Sequence, residues 1–286
     1  MRKIRIVSDS SSDITSLEQV DFAYSPMKIT TADREFVDDS SLRVEEMVQF
    51  LDKYKGRSKT SCPNVTDWLN AFGDADDIFC VTITSALSGS YNSAVAAKRV
   101  YEAEHEGSRV FVLDTLSAGP EITMVIERLS ECVQGGMSYE EICCGITEYL
   151  ENTGLVFMLK SLRNFANNGR VSPIIAKLVG FAGICIVGKA SDEGTLEQSH
   201  KCRGELRSLD ALLADMNKLG YRGGRVSIGH CENESAARRL EKMLTTKYKD
   251  ARIDIHSLRG LCSFYAERGG LLVGFEKGGR TEEKQK

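Results

Sequence analysis

The chain has 286 residues, 42% of them apolar and 27% charged, with 25 Gly and only 4 Pro. That composition excludes a disordered, collagen-like or low-complexity protein, and the length suggests two domains or one large one. Lys and Arg number 37 against 41 Asp and Glu, a net charge of −4, whereas a general nucleic-acid binder needs a positive surplus to displace counterions.

The opening MRKIRIVSDS lacks the apolar core and small-residue cleavage site of a secretory signal. Within it, Ile4–Val7 is a short strand-like run that leads into the polar turn SDSSSD. Strand-like pieces recur around Met27–Ile29 and Phe36–Val37. Ile78–Ile83 (IFCVTI) then leads into TSALSGS, and Val110–Leu113 (VFVL) into DTLSAG. Helical spacing of Ala94, Ala97, Val100 and Tyr101 predicts a helix from Ser90 to about Ala103. Ser138 and Glu141 form a capping box ahead of Ile142, Ile146, Tyr149 and Leu150. Strands alternating with helices predict an α/β protein whose first half is a mainly parallel sheet with helices on both faces.

The composition changes near Asn152–Gly154, where we place a boundary between two domains. Beyond it, LVFMLKSLRNFA reads as helical, NNGR as a turn, and Pro173–Val187 as a long apolar stretch. The sequence Asp192–Gly194 predicts a hairpin turn. Ser208 is expected to cap a helix carrying Leu209, Leu212, Leu213, Met216 and Leu219, with Gly220 at its end. A further amphipathic helix spans about Glu234–Lys247, and the last strand is Leu271–Phe275. The expected division is therefore 1–154, a smaller two-layer α/β domain at 155–276, and a disordered charged tail at 277–286.

The nine cysteines show no C-x-x-C spacing and the four histidines are scattered, so no metal site is predicted. Cys80 and Cys185 lie inside apolar runs and read as small buried hydrophobes. No apolar run approaches the roughly 20 residues that span a bilayer, so stable membrane insertion is not expected. With no secretory signal in view, the expected setting is a reducing cytoplasm.

Three polar clusters stand where strands end: Ser8–Asp13, Lys59–Asn64 (KTSCPN) and Thr84–Ser90 (TSALSGS). In open α/β sheets ligands bind outside the carboxyl ends of the strands. The third cluster opens a helix, where unpaired N–H groups attract anions, and Ser85, Ser88 and Ser90 add hydroxyls beside Gly89. The same serines also suit plain N-capping, and both readings stand at this point. No G-x-S-x-G elbow, P-loop or G-x-G-x-x-G fingerprint is present, so neither a hydrolase serine nor nucleotide binding has a motif behind it.

IVSDSSSD, KTSCPN, VTITSALSGSYNSA, VFVLDTLSAG and NNGRVS, in that order and spacing, resemble the DegV family of fatty-acid-binding proteins over roughly residues 3 to 275. The resemblance implies two α/β domains enclosing one long-chain fatty acid (C14–C18, such as palmitate, stearate or oleate), with no cofactor. It implies that Thr60 of T-S-x-P and Ser88 of LSG hold the carboxylate, with Ser61, Ser85 and Gly89 beside them. Arg170 matches a family arginine near the pocket mouth. It also implies a non-catalytic partner for a separate fatty acid kinase that resembles dihydroxyacetone kinase and forms an acyl phosphate. Two departures from the family pattern stand out. Tyr265 occupies the His position of the usual H-x-G-P-G turn, and Asn167-Asn168 replaces the first part of the usual K-x-G-G-R turn. A binder or enzyme for a phosphorylated small molecule is the competing reading of the Ser/Gly loops, although residues 81–97 hold no Lys or Arg to meet a phosphate dianion before Lys98.

Overall fold

The computed structural model describes residues 2–171 and 183–278. Strands β1 (Ile4–Asp9), β2 (Phe22–Ser25), β6 (Asp77–Thr82) and β7 (Arg109–Asp114) form a parallel sheet in the order β2-β1-β6-β7. Their apolar runs are nearly continuous because both faces are covered. On one face Val7, Ile78, Cys80 and Val110 meet Trp68 and Phe72 of α2 (Val65–Phe72) and Ala94, Ala97 and Tyr101 of α3 (Ser90–Glu104). On the other, Ile6, Phe79 and Val81 share a core with α4 (Pro120–Gln134) and α5 (Tyr139–Glu151), through Ile122, Val125, Ile142 and Ile146. The predicted capping box of α5 forms as read: Ser138 and Glu141 satisfy each other's backbone N–H groups.

A small antiparallel sheet of β3 (Lys28–Thr30), β4 (Glu35–Val37) and β5 (Lys59–Ser61) runs in the order β4-β3-β5. Its neighbour α1 (Val44–Lys53) buries Met47, Val48 and Leu51.

The third sheet is mixed, in the order β10-β9-β8-β13-β11-β12, with only β11 (Arg225–His230) and β12 (Arg252–Ser257) parallel. The other pairings, among β8 (Thr153–Leu159), β9 (Ile184–Ala190), β10 (Leu196–Arg203), β13 (Leu271–Glu276) and β11, are antiparallel. Helices α7 (Glu205–Lys218) and α8 (Glu234–Lys247) cover one face, burying Leu209, Leu212, Met216, Leu240 and Leu244 against Val156, Met158, Val226 and Val273. The opposite face meets the core around α4, so Phe157 and Ile186 share one apolar cluster with Ile6 and Phe79. The predicted hairpin joins β9 to β10, with Gly194 at φ +75°.

Two expectations are corrected. The segment read as one helix is β8 followed by α6 (Arg163–Asn167). It shows no alternation because Leu155, Phe157 and Leu159 are buried on one face and Val156 and Met158 on the other. Ser208 does not cap a helix but sits inside α7, fully buried, with its hydroxyl donating to the Gly204 carbonyl at 2.9 Å. Glycine itself makes the turn there, at φ +88°. Most of the apolar stretch from Pro173 and of the charged tail lies outside the described residues.

Candidate functional site

Between β5, the loops that follow β1 and β6, and the inner face of the mixed sheet lies a narrow, partly enclosed cavity with about 70 Å³ of water-accessible space. One wall is apolar and built on regular elements: alternate residues Leu155, Phe157 and Leu159 of β8, Leu272 of β13, and Leu261 and Ala266 of α9 (Gly260–Ala266). Leu196 at the start of β10 and Phe165 of α6 extend it. The other wall carries Met27, Ile83 and Leu87 together with the hydroxyls of Thr60, Ser61 and Ser88.

Of the residues expected from the sequence, Thr60, Ser61, Ser88, Arg170 and Tyr265 line this one cavity; Ser85 and Gly89 stand in the adjoining loop but not in its walls. Thr60 Oγ1 and the Tyr265 hydroxyl lie 2.7 Å apart. Tyr265 sits in the last turn of α9 rather than in a turn before the final strand. Its ring rests on Phe165 at 4.6 Å between centroids and meets Phe264 edge-on at 4.8 Å. The Arg170 guanidinium lies 5.2 Å from the centre of the same ring, a cation–π distance. Its Nε donates to the Leu87 carbonyl at 2.7 Å, fixing the residue before Ser88. Burial pushes the Tyr265 phenol above its ordinary range, so it remains a neutral donor and acceptor.

The Thr84–Ser90 loop resolves the capping question in both directions at once. Ser88 Oγ accepts from the Ser90 N–H at 3.3 Å, a cap-like bond, while its side chain also borders the cavity. The N–H groups of Ser85, Ala86 and Leu87 are engaged by Asp114 Oδ1, Thr84 Oγ1 and the Thr84 carbonyl. With those amides taken, the loop offers a ligand hydroxyls more than a nest of N–H groups.

Beneath the polar wall lies a residue that the sequence did not single out. Asp9 is fully buried at the end of β1. It accepts from the Ile83 N–H at 3.0 Å, the Ser90 hydroxyl at 2.6 Å, the Ser11 N–H at 3.1 Å and the Ser11 hydroxyl. It thus ties the first polar cluster to the third, and burial pushes its pKa up despite those donors. The strand-then-serine pattern of SDSSSD was the available signal. Two thiols, Cys62 and Cys262, also face the cavity, both pushed by burial above the ordinary thiol range and so held protonated. Among the described residues no group of His, Cys, Asp or Glu side chains is placed to hold a metal ion, and no helix is long and apolar enough to cross a membrane.

Fold and site together define a class: an α/β protein whose sheets enclose a narrow apolar cavity with mainly hydroxyl polar groups. The chain belongs to the DegV family, whose model ("Uncharacterised protein, DegV family") matches residues 3–277. It is 41% identical over 276 residues to a DegV domain-containing protein of Streptococcus pneumoniae strain R6, covering 95% of this chain and 98% of that one. Among solved structures it is similar to a DegV family protein of Eubacterium eligens loaded with heptadecanoic acid, at 43% identity and TM-score 0.93, covering 96% of this chain and 99% of the other. It is equally similar to the Streptococcus pneumoniae Fatty Acid Kinase (Fak) B3 protein loaded with linoleic acid, at 41% identity, TM-score 0.94 and the same coverage.

Proposed function

We propose that this protein binds one long-chain fatty acid, with its acyl chain along the apolar wall and its carboxylate among the Thr60 and Ser88 hydroxyls. The observation that carries the reading is the cavity itself: narrow, predominantly apolar, and furnished with hydroxyls that converge from β5, the Ser88 loop and α9. Burying about 14–16 methylenes at roughly 0.8 kcal/mol each supplies about 11–13 kcal/mol before ordering costs. Chain burial therefore provides most of the affinity, and a few hydroxyls suffice to orient the head. Ser61 and Tyr265 border the head group, Arg170 braces it, and Ser85 and Gly89 shape the loop behind it.

The likeness to the Fak B3 protein supports a further step, in which the bound acid is presented to a separate kinase for acyl-phosphate formation, with this chain contributing no catalytic group. The same reading places the protein in the cytoplasm and divides it into 1–154, carrying the hydroxyl loops, and 155–276, closing over the acyl chain. Mass spectrometry of the purified protein, native and then after denaturation and solvent extraction, tests it. A near-stoichiometric adduct with the mass of a C14–C18 acid is expected. A clean apo mass with no uptake of added fatty acid would overturn the proposal and bring the phosphorylated-metabolite reading forward.

A further inference from the structure

We propose that Asn168 is the positioning residue for the Thr60 hydroxyl and thereby tunes head-group recognition; the inference rests on the fatty-acid reading above. β5 is an edge of its small sheet, so among the described residues one side of it has no strand partner. An edge left open exposes unpaired N–H and C=O groups and allows the strand to shift. The Asn168 side chain supplies what a neighbouring strand would. Its Oδ1 accepts from the Thr60 N–H at 3.2 Å, and its Nδ2 donates to the Ser58 carbonyl at 3.2 Å. The second Nδ2 proton goes to the Asn164 carbonyl at 2.9 Å, which anchors the amide to α6. Turning the amide over would set NH₂ against N–H and C=O against C=O, so its orientation is determined.

The contacts close into a ring. Asn164 Nδ2 donates to the Phe264 carbonyl at 2.7 Å and its N–H to Glu267 Oε1 at 3.1 Å, tying α6 to α9 and the residue beyond its end. α9 carries Tyr265, whose hydroxyl meets Thr60 Oγ1 at 2.7 Å. Thr60 is therefore held twice: its backbone by Asn168 and its hydroxyl by Tyr265. Tyr265 and Asn168, the residues that the sequence reading set against the family pattern, both bond to this one threonine. Without the Asn168 amide, the Thr60 N–H and Ser58 carbonyl would turn to water and the hydroxyl would be held by Tyr265 alone. The apolar walls would be untouched.

A double-mutant cycle with palmitate as probe tests this, because a positioning residue acts only through the group it positions. Asn168→Ala should weaken palmitate binding about tenfold in the native background, the loss of about one hydrogen bond. In a Thr60→Val background the same change should cost less than about twofold. Equal losses in both backgrounds would mean a general structural role and overturn the proposal. If Asn168→Ala does not fold, Asn168→Asp replaces it in the cycle, keeping the acceptor for Thr60 N–H and losing both donors; the same comparison applies. Hydrogen exchange at the ligand-free Thr60 amide separates the two claims. Protection should fall about tenfold or more in the variant, and unchanged protection rejects the clamp. Failure of the native protein to bind palmitate, with protection behaving as expected, rejects only the fatty-acid reading.

Discussion

The two walls of the cavity are stabilised in different ways. The apolar wall rides on β8, β13 and α9; along the two strands alternate side chains face the cavity and the others face a second core under α7 and α8. The polar wall rides on short elements, the edge strand β5 and the loops after β1 and β6, and is held by side chains that bond to backbone: Asp9 to Ile83, Asn168 to Thr60, Arg170 to Leu87. Hydrophobic burial is non-directional, so it sets the shape of the first wall but not the direction of any hydroxyl. Hydrogen bonds are directional, and a wall that must aim hydroxyls needs them. Substitutions in the two walls should therefore fail differently.

The largest effect is expected at Phe157, 2% exposed and in contact with both the cavity and the position of Gly188. Phe157→Ala should cost about 3–5 kcal/mol of stability in denaturant unfolding, since the sheet cannot collapse into the space left. A loss below about 1 kcal/mol would show that the apolar wall is not a packed part of the core. Next comes Asp9→Ala in the polar wall. It strands the Ile83 N–H, the Ser90 hydroxyl and the Ser11 donors in a buried place, and about 2–4 kcal/mol is expected. Because the Ile83 and Ser90 donors flank the loop that carries Ser88, fatty-acid affinity should fall as well, measured by titration calorimetry at a temperature where the variant is folded. Undiminished affinity would separate the Asp9 network from the head-group site.

The contrast between the walls also explains what the sequence disclosed. Three strands of the parallel sheet, β1, β6 and β7, were legible within a residue or two because their apolar runs are bounded by Ser, Gly and Asp; β2 was not read as a strand. The α5 cap and the span of α8 were legible because capping and helical spacing are local. β8 was not: buried on both faces, it gives a continuous apolar run with no period, and LVFML continues directly into the α6 residues. The loops that carry Thr60 and Ser88 were legible as polar clusters at strand ends, but their roles, and Tyr265 altogether, came only through the family resemblance, which names positions and not partners. That Tyr265 would face Thr60, 205 residues earlier in the chain, is set by how α9 packs beside β5, and no local pattern encodes it. Asn168 was visible only as a departure, since its bonds to Thr60 and Ser58 exist only once the chain is folded.

A third effect concerns protons. Asp13, in left-handed backbone at φ 60°, is half-buried with its carboxyl turned inward, accepts from the Arg259 N–H at 2.8 Å, and is pushed up to about 8, mainly by burial of that carboxyl. Asp38, which accepts from the Gly260 and Leu261 N–H groups, adds to the shift by its charge. A carboxyl raised in the folded state binds its proton more tightly there than in the unfolded chain. Its contribution to stability is full below about pH 4 and is lost as pH rises towards 8. Each such group adds at most about 1.4 kcal/mol per pH unit to the slope. Asn tolerates the left-handed backbone and keeps the acceptor for Arg259, so Asp13→Asn should lessen the decline in stability between pH 5 and 8. Unfolding curves across that range with the same slope in both proteins would reject the raised pKa.

The smallest effect is the most specific to function. Tyr265→Phe keeps the ring on Phe165 and against Phe264 and removes one oxygen, the partner of Thr60 Oγ1. The packing term is unchanged, so the melting temperature should move by no more than a few degrees, the equivalent of about 1 kcal/mol or less. Affinity for a long-chain fatty acid should fall about five- to tenfold, because Thr60 loses one of its two restraints and the head group loses a donor. The same substitution in an Asn168→Ala protein should then cost more than either alone predicts, since only the pairing of β5 with β3 would hold Thr60. Equal affinity of the Tyr265→Phe variant and the native protein would mean that the hydroxyl pair serves the fold only, and the carboxylate would have to be sought nearer Ser88 and Arg170.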